Sequence, residues 1–258
     1  MKRSFFGFTT PQIDYLPIPG KVATPAASRL SDSVTLLVPC PAGKVDGQSA
    51  QKGDKVKTGQ KISLASAPGA YGIASLSGTL SAIERFPGEG GREYTAVTIT
   101  ASGAESLDDA FASQCEPTLE TATGFLACLP GAPSFDAFSN PENPIHTIVI
   151  SSMDTDLLVM SAQYTLASRL EEIQAGIGYL KTITGVDNIV LATAPDALQG
   201  FGDIGANVVA VDAAYPSGLP RLVVQKVLGE EIPNNKCFED LGVSFFTAEA
   251  VASIGRAF

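Results

Sequence analysis

The chain has 258 residues, enough for one large domain or two modest ones with cores of their own. Its 45% hydrophobic and 17% charged content is that of a globular protein. The 27 acidic against 17 basic residues give a formal charge of −10, which disfavours generalised binding to nucleic acid or anionic lipid.

Residues 1–33 carry Pro11, Pro17, Pro19 and Pro25 without any period and read as an extended N-terminal arm. The opening run MKRSFFGFTTP is broken by Gly7 and stopped at Pro11, too short for a signal peptide. No stretch approaches the roughly twenty apolar residues that span a bilayer, so the chain is expected to have no transmembrane segment of its own. Residues 34–101 hold short strands punctuated by glycine: Val34–Val38, then KGDKVKTGQKISL, in which Ile62 and Leu64 alternate inward, then Thr79–Ile83 and Tyr94–Ile99. This predicts a small β-barrel or sandwich. The four lysines between Lys52 and Lys61 are the one candidate basic patch, and a solvated hairpin accounts for them. Residues 102–145 form a connecting region, with a short helix expected over Ser106–Ser113 and a Gly- and Pro-rich stretch after it.

Residues 146–258 change character. Thr147–Ser151 is a short β-branched run suited to a buried strand, and Leu166, Leu170, Ile173, Ile177 and Leu180 fall on one stripe of a single long helix that Gly185 ends. Asn188–Thr193 follows as a second strand, completing a βαβ unit with parallel strands. Asn207–Asp212 is expected as a third buried strand, Arg221–Leu228 as a helix ended by Gly229, Val243–Phe246 as a last strand and Thr247–Ala257 as a helix capped by Thr247. Ligands of open α/β sheets sit beyond the carboxyl ends of the strands, which directs attention to Ser151–Asp156. There Asp154 and Asp156 either pair for acid–base or cation chemistry or, the plainer reading, stabilise the turn and cap a helix.

Several motif matches fail on context. Gly200-Phe-Gly202-Asp-Ile-Gly205 fits G-x-G-x-x-G but precedes a strand, where the dinucleotide fingerprint must open a helix. Gly176-Ile-Gly178 lies inside the long helix and reads as a close-packing point. The Gly-Lys pairs at Lys21 and Lys44 lack the Ser/Thr of a P-loop, and no G-x-S-x-G elbow exists. His146 is the only histidine, which excludes a two-histidine metal site and suits a structural role. Cys40, Cys115, Cys128 and Cys237 have no C-x-x-C spacing, so neither a zinc ribbon nor a local iron–sulfur cluster is expected, and free thiols in a reducing compartment are.

Two sets of residues carry a resemblance to known families. The G-D-x-V-x-x-G-Q pattern at Gly53–Gln60 resembles biotinyl/lipoyl-type domains of barrel-sandwich hybrid fold; the expected hairpin tip, Ala65–Ile73, has no lysine, which argues against a swinging-arm carrier. More widely, SSMDTDL at Ser151–Leu157, the helix after it, the YPSGLP loop at Tyr215–Pro220, the VASIGRAF ending and the KGDKVKTGQKI segment resemble the NqrA subunit of the sodium-translocating NADH:quinone reductase. The same features are similar to its relative, the RnfC subunit of the Rnf electron-transport complex. The resemblance covers nearly the whole chain from about Lys44.

The resemblance implies a barrel-sandwich β domain followed by a Rossmann-like parallel α/β domain related to the complex I flavoprotein subunit. In redox-active members a glycine-rich loop before the first Rossmann strand holds the flavin phosphate, a G-E pair lies near the nicotinamide, and cysteine clusters hold iron–sulfur centres. Here the loop is Gly124–Asn140, GFLACLPGAPSFDAFSN, the pair is Gly218-Leu219 and no cysteine cluster exists. NqrA departs in the same way and is therefore preferred over RnfC. The expectation is a non-catalytic peripheral subunit on the cytoplasmic face of the inner membrane, without tightly bound FMN, NADH or iron–sulfur centre. It would dock to membrane subunits of an Nqr/Rnf-type complex and is a candidate for contact with quinone. The residues put forward for such contacts are Asp154, Thr155, Asp156, Ser217, Gly218 and Leu219. The alternatives are an FMN- and NADH-binding electron-transfer protein of the RnfC type and a free-standing adaptor. Family members continue past the helix that ends at Phe258, so the chain is expected to be either a compact member or a shortened one.

Overall fold

The computed structural model describes residues 31–39, 50–64, 67–113, 116–200 and 202–258. The arm up to Leu30, Cys40, the Gly43-Lys44 pair and Cys115 lie outside the described residues. The first half is built from strands β1 (Ser33–Pro39), β2 (Lys55–Val56), β3 (Lys61–Leu64), β4 (Ala67–Ile73), β5 (Gly78–Pro87) and β6 (Glu93–Ala101). An antiparallel sheet runs in the order β1-β6-β5-β2, and β3 pairs with β4 as a separate hairpin. Period-two alternation is visible in β3, where Ile62 and Leu64 are buried while Lys61 and Ser63 face out. They join Val38, Val56, Leu80, Val97 and Ile99 in a barrel-like core.

The stretch expected as a hairpin tip is a correction. Most of Ala65–Ile73 is the strand β4, because its backbone finds partners along β3, with Ile62 opposite Gly72 and Lys61 opposite Ile73. The connecting region is not a plain tether either. Ser77 Oγ donates to the Ser106 carbonyl at 2.8 Å and accepts from the Ser106 and Thr58 amides at 2.9 and 3.1 Å, tying the barrel turn to the segment that leads into α1 (Asp109–Ser113). Phe111 of α1 then meets Phe125 of α2 (Leu119–Phe125) edge-on, with ring centroids 5.6 Å apart.

The second half is a parallel sheet of β7 (Thr147–Ser151), β8 (Ile189–Thr193), β9 (Asn207–Ala210) and β10 (Val243–Thr247), in the order β10-β7-β8-β9. Helices cover both faces: α3 (Ser161–Ser168), α4 (Leu170–Thr184) and α6 (Ala248–Ala257) on one, α5 (Pro220–Leu228) on the other. Alternation along β7 explains the sorting. Ile148 and Ile150 pack with Ile173, Ile177 and Val251, while Val149 packs with Val223 and Val224. Gly185 and Gly229 end α4 and α5 in the left-handed conformation, at φ of 71° and 75°, and Thr247 Oγ1 caps α6 by accepting from Ala250 N at 3.1 Å.

Two elements differ from expectation. The single long helix is two, because Arg169 sits at φ −131° and ψ 33°, outside the helical region. The ladder continues across it, Arg169 N to Thr165 O and Ile173 N to Arg169 O, so the break is a kink that lets α3 lean on α6 while Leu166 stays in the same core as Ile173. β9 is shorter than expected and only half-buried, since among the described residues it is the edge strand and pairs with β8 alone. Gly176 is the close-packing point read from the sequence: a Cβ there would lie 2.1 Å from the Val251 carbonyl oxygen of α6.

Candidate functional site at the carboxyl edge of the parallel sheet

The strand order reverses between β7 and β10, so the crevice beyond their carboxyl ends is where an open α/β sheet ordinarily takes a ligand. On the β10 side the chain fills this place itself. The loop from Gly124 to Asn140 comes over the first turn of α6, where a Cβ on Gly131 would lie 2.4 Å from Ala250 N. Phe135, 2% exposed, packs on Phe246 of β10 with ring centroids 5.7 Å apart, and Phe138 closes the cluster at 6.2 Å from Phe135 and 6.4 Å from Phe246. The Ala250 amide in that first turn is already bonded to Thr247.

On the β9 side the two sequence-predicted loops meet. Gly218 is buried against the backbone of the β7 loop: a Cβ on it would lie 2.2 Å from the Asp154 carbonyl oxygen and 3.3 Å from Met153 Cβ. Only glycine lets these loops approach so closely. Asp154 Oδ1 accepts from Ala162 N at 2.9 Å, a long-range cap on the first turn of α3, whose N-cap residue Met160 supplies none. Asp154 Oδ2 is buried and has no hydrogen-bond partner among the described residues. Thr155 is exposed, and Asp156 is exposed with its Oδ1 accepting from the Leu157 amide at 2.7 Å, a local turn bond. Ser217 and Leu219 shape the other loop, their amides donating to Ala214 O and Pro216 O after a cis Tyr215–Pro216 bond, and Leu219 begins α5. Asp154 and Gly218 are thus brought together, and Asp156 points its chemistry at its own turn.

A feature that sequence reasoning missed lies next to them. Leu157, Leu158, Val159 and Met160 are all exposed, Leu158 to 90%, and Leu158 holds φ at 62°. The signal was four consecutive apolar residues between a polar loop and a helix, with no period to bury them.

Elsewhere the chemistry is quiet. His146 Nδ1 lies 3.0 Å from Thr147 Oγ1, which accepts from Asn188 Nδ2, and the ring packs where a side chain on Gly242 would go. No group of three His, Cys, Asp or Glu side chains gathers to hold a metal among the described residues. The lysine-rich turn of the barrel lines two open clefts of about 450 and 480 Å³. Gly205 turns the G-x-G-x-x-G loop at φ 76° into β9, so these glycines open no helix; Phe201 lies outside the described residues.

Comparison with known proteins adds one consistent likeness. The chain is 22% identical over 264 residues to the C-type subunit of the ion-translocating oxidoreductase complex of Haemophilus influenzae, an alignment covering 94% of this chain and 31% of that protein. It is 20% identical over 249 residues to the C-type subunit of the proton-translocating ferredoxin:NAD(+) oxidoreductase complex of Clostridium ljungdahlii, covering 89% and 52%. The corresponding ion-translocating oxidoreductase subunit of Buchnera aphidicola from Acyrthosiphon pisum is 23% identical over 123 residues, 45% of this chain and 26% of that protein. The likeness is to the C-type subunits of ion-translocating oxidoreductase complexes. The chain spans from about a quarter to about half the length of these relatives. No family model matches it. No helix among the described residues is long and apolar enough to cross a membrane.

In the redox-active members of the family that the sequence resembles, the loop ahead of the first parallel strand holds a flavin phosphate. The residues present do not fit that group. A phosphate cradle needs glycines that let backbone amides approach, whereas Gly131 is pressed onto α6 and Phe135 fills the space beside Phe246.

Proposed function

We propose that the chain serves as a peripheral subunit of a membrane ion-translocating NADH:quinone oxidoreductase of the Nqr or Rnf type, on the cytoplasmic face of the inner membrane, docking to membrane subunits. In this reading residues 34–101 are a barrel-sandwich hybrid of biotinyl/lipoyl type that serves for structure and not as a swinging-arm carrier. Residues 146–258 are a Rossmann-like unit related to the complex I flavoprotein subunit, and it binds neither FMN nor NADH tightly and holds no iron–sulfur centre. Residues 1–33 and 102–145 are the arm and the connection. The observation that carries the reading is the self-filled loop around Phe135 in a chain with C-type likeness over 94% of its length. The relatives are of the C type, and the filled loop is the trait that the resemblance attributes to NqrA. Asp154, Thr155, Asp156, Ser217, Gly218 and Leu219 are the contacts for quinone or a neighbouring subunit.

Thermal-shift titration with FMN, NADH and a quinone analogue tests this, because a ligand bound by the native state alone raises apparent stability. The expected result is an upward shift with the quinone analogue and none with FMN or NADH; stoichiometric flavin absorbance in the purified protein would overturn the cofactor-free part. A second reading, a ligand-binding enzyme using FMN or NADH in an unfamiliar geometry, is favoured by one observation, the buried and unpartnered Asp154 Oδ2 beside Gly218. It predicts the opposite outcome of the same titration.

A further inference from the structure

We infer that the strip Leu157–Met160 is a docking surface for a membrane subunit, specifically for an apolar segment flanked by lysine or arginine at that subunit's cytoplasmic side; this rests on the peripheral-subunit reading above. Exposed apolar side chains are ordinary when scattered singly, but here four are consecutive, at 46%, 90%, 42% and 40% exposure. Tyr215, from the loop that meets Asp154 through Gly218, is exposed as well. Leu158 also holds a left-handed backbone conformation that a bulky side chain disfavours, and its side chain is 90% exposed. Backbone strain of this kind clusters at functional sites such as ligand clamps and switch regions.

Charge selects the occupant. The strands of the sheet are parallel, so the loops that follow them share one edge, and they bring Asp154, Asp156, Asp196 and Asp212 there. Arg169 pairs with Glu172 at 3.6 Å, and Arg221, bonded to the neutral Ile232 and Pro233 carbonyls, sets one positive charge against these four aspartates. An apolar strip with an acidic surround, on a chain of charge −10, is repelled by an anionic bilayer surface. Cytoplasmic loops of membrane proteins carry an excess of lysine and arginine beside apolar helices, which matches both properties of the strip.

The test is site-specific crosslinking in cells that contain the intact complex. p-Benzoylphenylalanine replaces Leu158 in one variant and, in another, Leu107, which is 55% exposed beside the barrel. Irradiation is expected to give an adduct from position 158 and none from 107, with the crosslinked peptide mapping by mass spectrometry to a Lys/Arg-flanked apolar segment of a membrane-spanning protein. Leu158→Glu is expected to lower co-sedimentation with membranes roughly tenfold or more, the ratio corresponding to loss of one buried leucine, with the melting temperature unchanged because the side chain is exposed in the chain alone. An adduct with lipid, with this same chain or with a segment lacking basic flanks overturns the inference, as does equal yield from position 107 or no adduct at all. Failure of the two claims is distinguishable. A wild-type chain that does not sediment with membranes sinks the peripheral-subunit reading, whereas one that sediments while position 158 stays silent sinks the docking surface alone.

Discussion

On the β10 side of the carboxyl edge, Gly131 lies on the first turn of α6 and three phenylalanines pack together, whereas on the β9 side Gly218 admits a neighbouring loop, where Asp154 Oδ2 has no hydrogen-bond partner among the described residues. Both sides use a glycine for close approach, and they end differently. In the first the approach completes a hydrophobic core; in the second it assembles backbone, one buried carboxylate oxygen and an exposed apolar strip. The contrast teaches that the same device, a glycine at a close approach, completes a core on one side and brings two strand-end loops together on the other.

The largest effect expected from breaking this comparison is on the filled side. Phe135→Ala removes a fully buried ring from contact with Phe246 and Phe138 and should cost about 3–5 kcal/mol, read as a lowered urea midpoint and melting temperature. The cavity should gain no affinity for FMN, because emptying it supplies no backbone amides: Ala250 N remains bonded to Thr247. Measurable FMN binding by this variant would mean that the phenylalanine occludes a working site.

Much of the α/β half was legible because its rules are local. Thr147–Ser151 and the next β-branched run, the terminating Gly185 and Gly229, and the Thr247 cap each announce themselves within a few residues. The rest depends on partners distant in the chain. The kink at Arg169 arises where α3 leans on α6, and β9 is an edge strand because, among the described residues, it pairs with β8 alone. Residues of the connecting segment bond to Ser77 through contacts 29 positions apart, which no window reveals. At the site, the convergence of Asp154 with Gly218 was inferable from parallel strands sharing an edge. The burial of Phe135 and the left-handed Leu158 were not, since an apolar residue in a loop carries no sign of whether it will be covered.

An intermediate effect is expected at Asp154, where the two oxygens do different things. Oδ1 caps α3 through Ala162 N, so Asp154→Ala should cost about 1 kcal/mol, within the usual range for losing a helix cap. Asp154→Asn keeps that acceptor and replaces Oδ2, which has no hydrogen-bond partner among the described residues, with an amide, and should leave stability within about 0.5 kcal/mol of the parent. Chemical denaturation of the pair separates the cap from the charge. If Asn costs as much as Ala, the carboxylate has a partner role that the geometry does not reveal. If Asn is neutral yet abolishes the thermal shift given by the quinone analogue, Oδ2 is the acceptor for a ligand.

The smallest effect sharpens the comparison from the opposite edge of the sheet, where the chain before β10 carries Cys237. Its thiol is hydrogen-bonded to the Asp240 carboxylate, which raises its pKa above the ordinary cysteine value, because that bond favours the protonated thiol over the thiolate. The same bond, with the Cys237 amide donating to Asp240 Oδ2 at 3.0 Å, holds the Asp240 carboxyl below the usual range. Since the thiolate is the nucleophile, Cys237 should alkylate slowly with iodoacetamide near neutral pH despite its exposure, and its rate should rise with pH later than that of a cysteine in a short peptide. Asp240→Asn removes the negative acceptor and should shift the rate profile to lower pH, with folding stability unaffected because both groups are at the surface. Following the Cys237 peptide by mass spectrometry isolates it from the other cysteines, and an unchanged profile in Asp240→Asn would show that the carboxylate does not control the thiol.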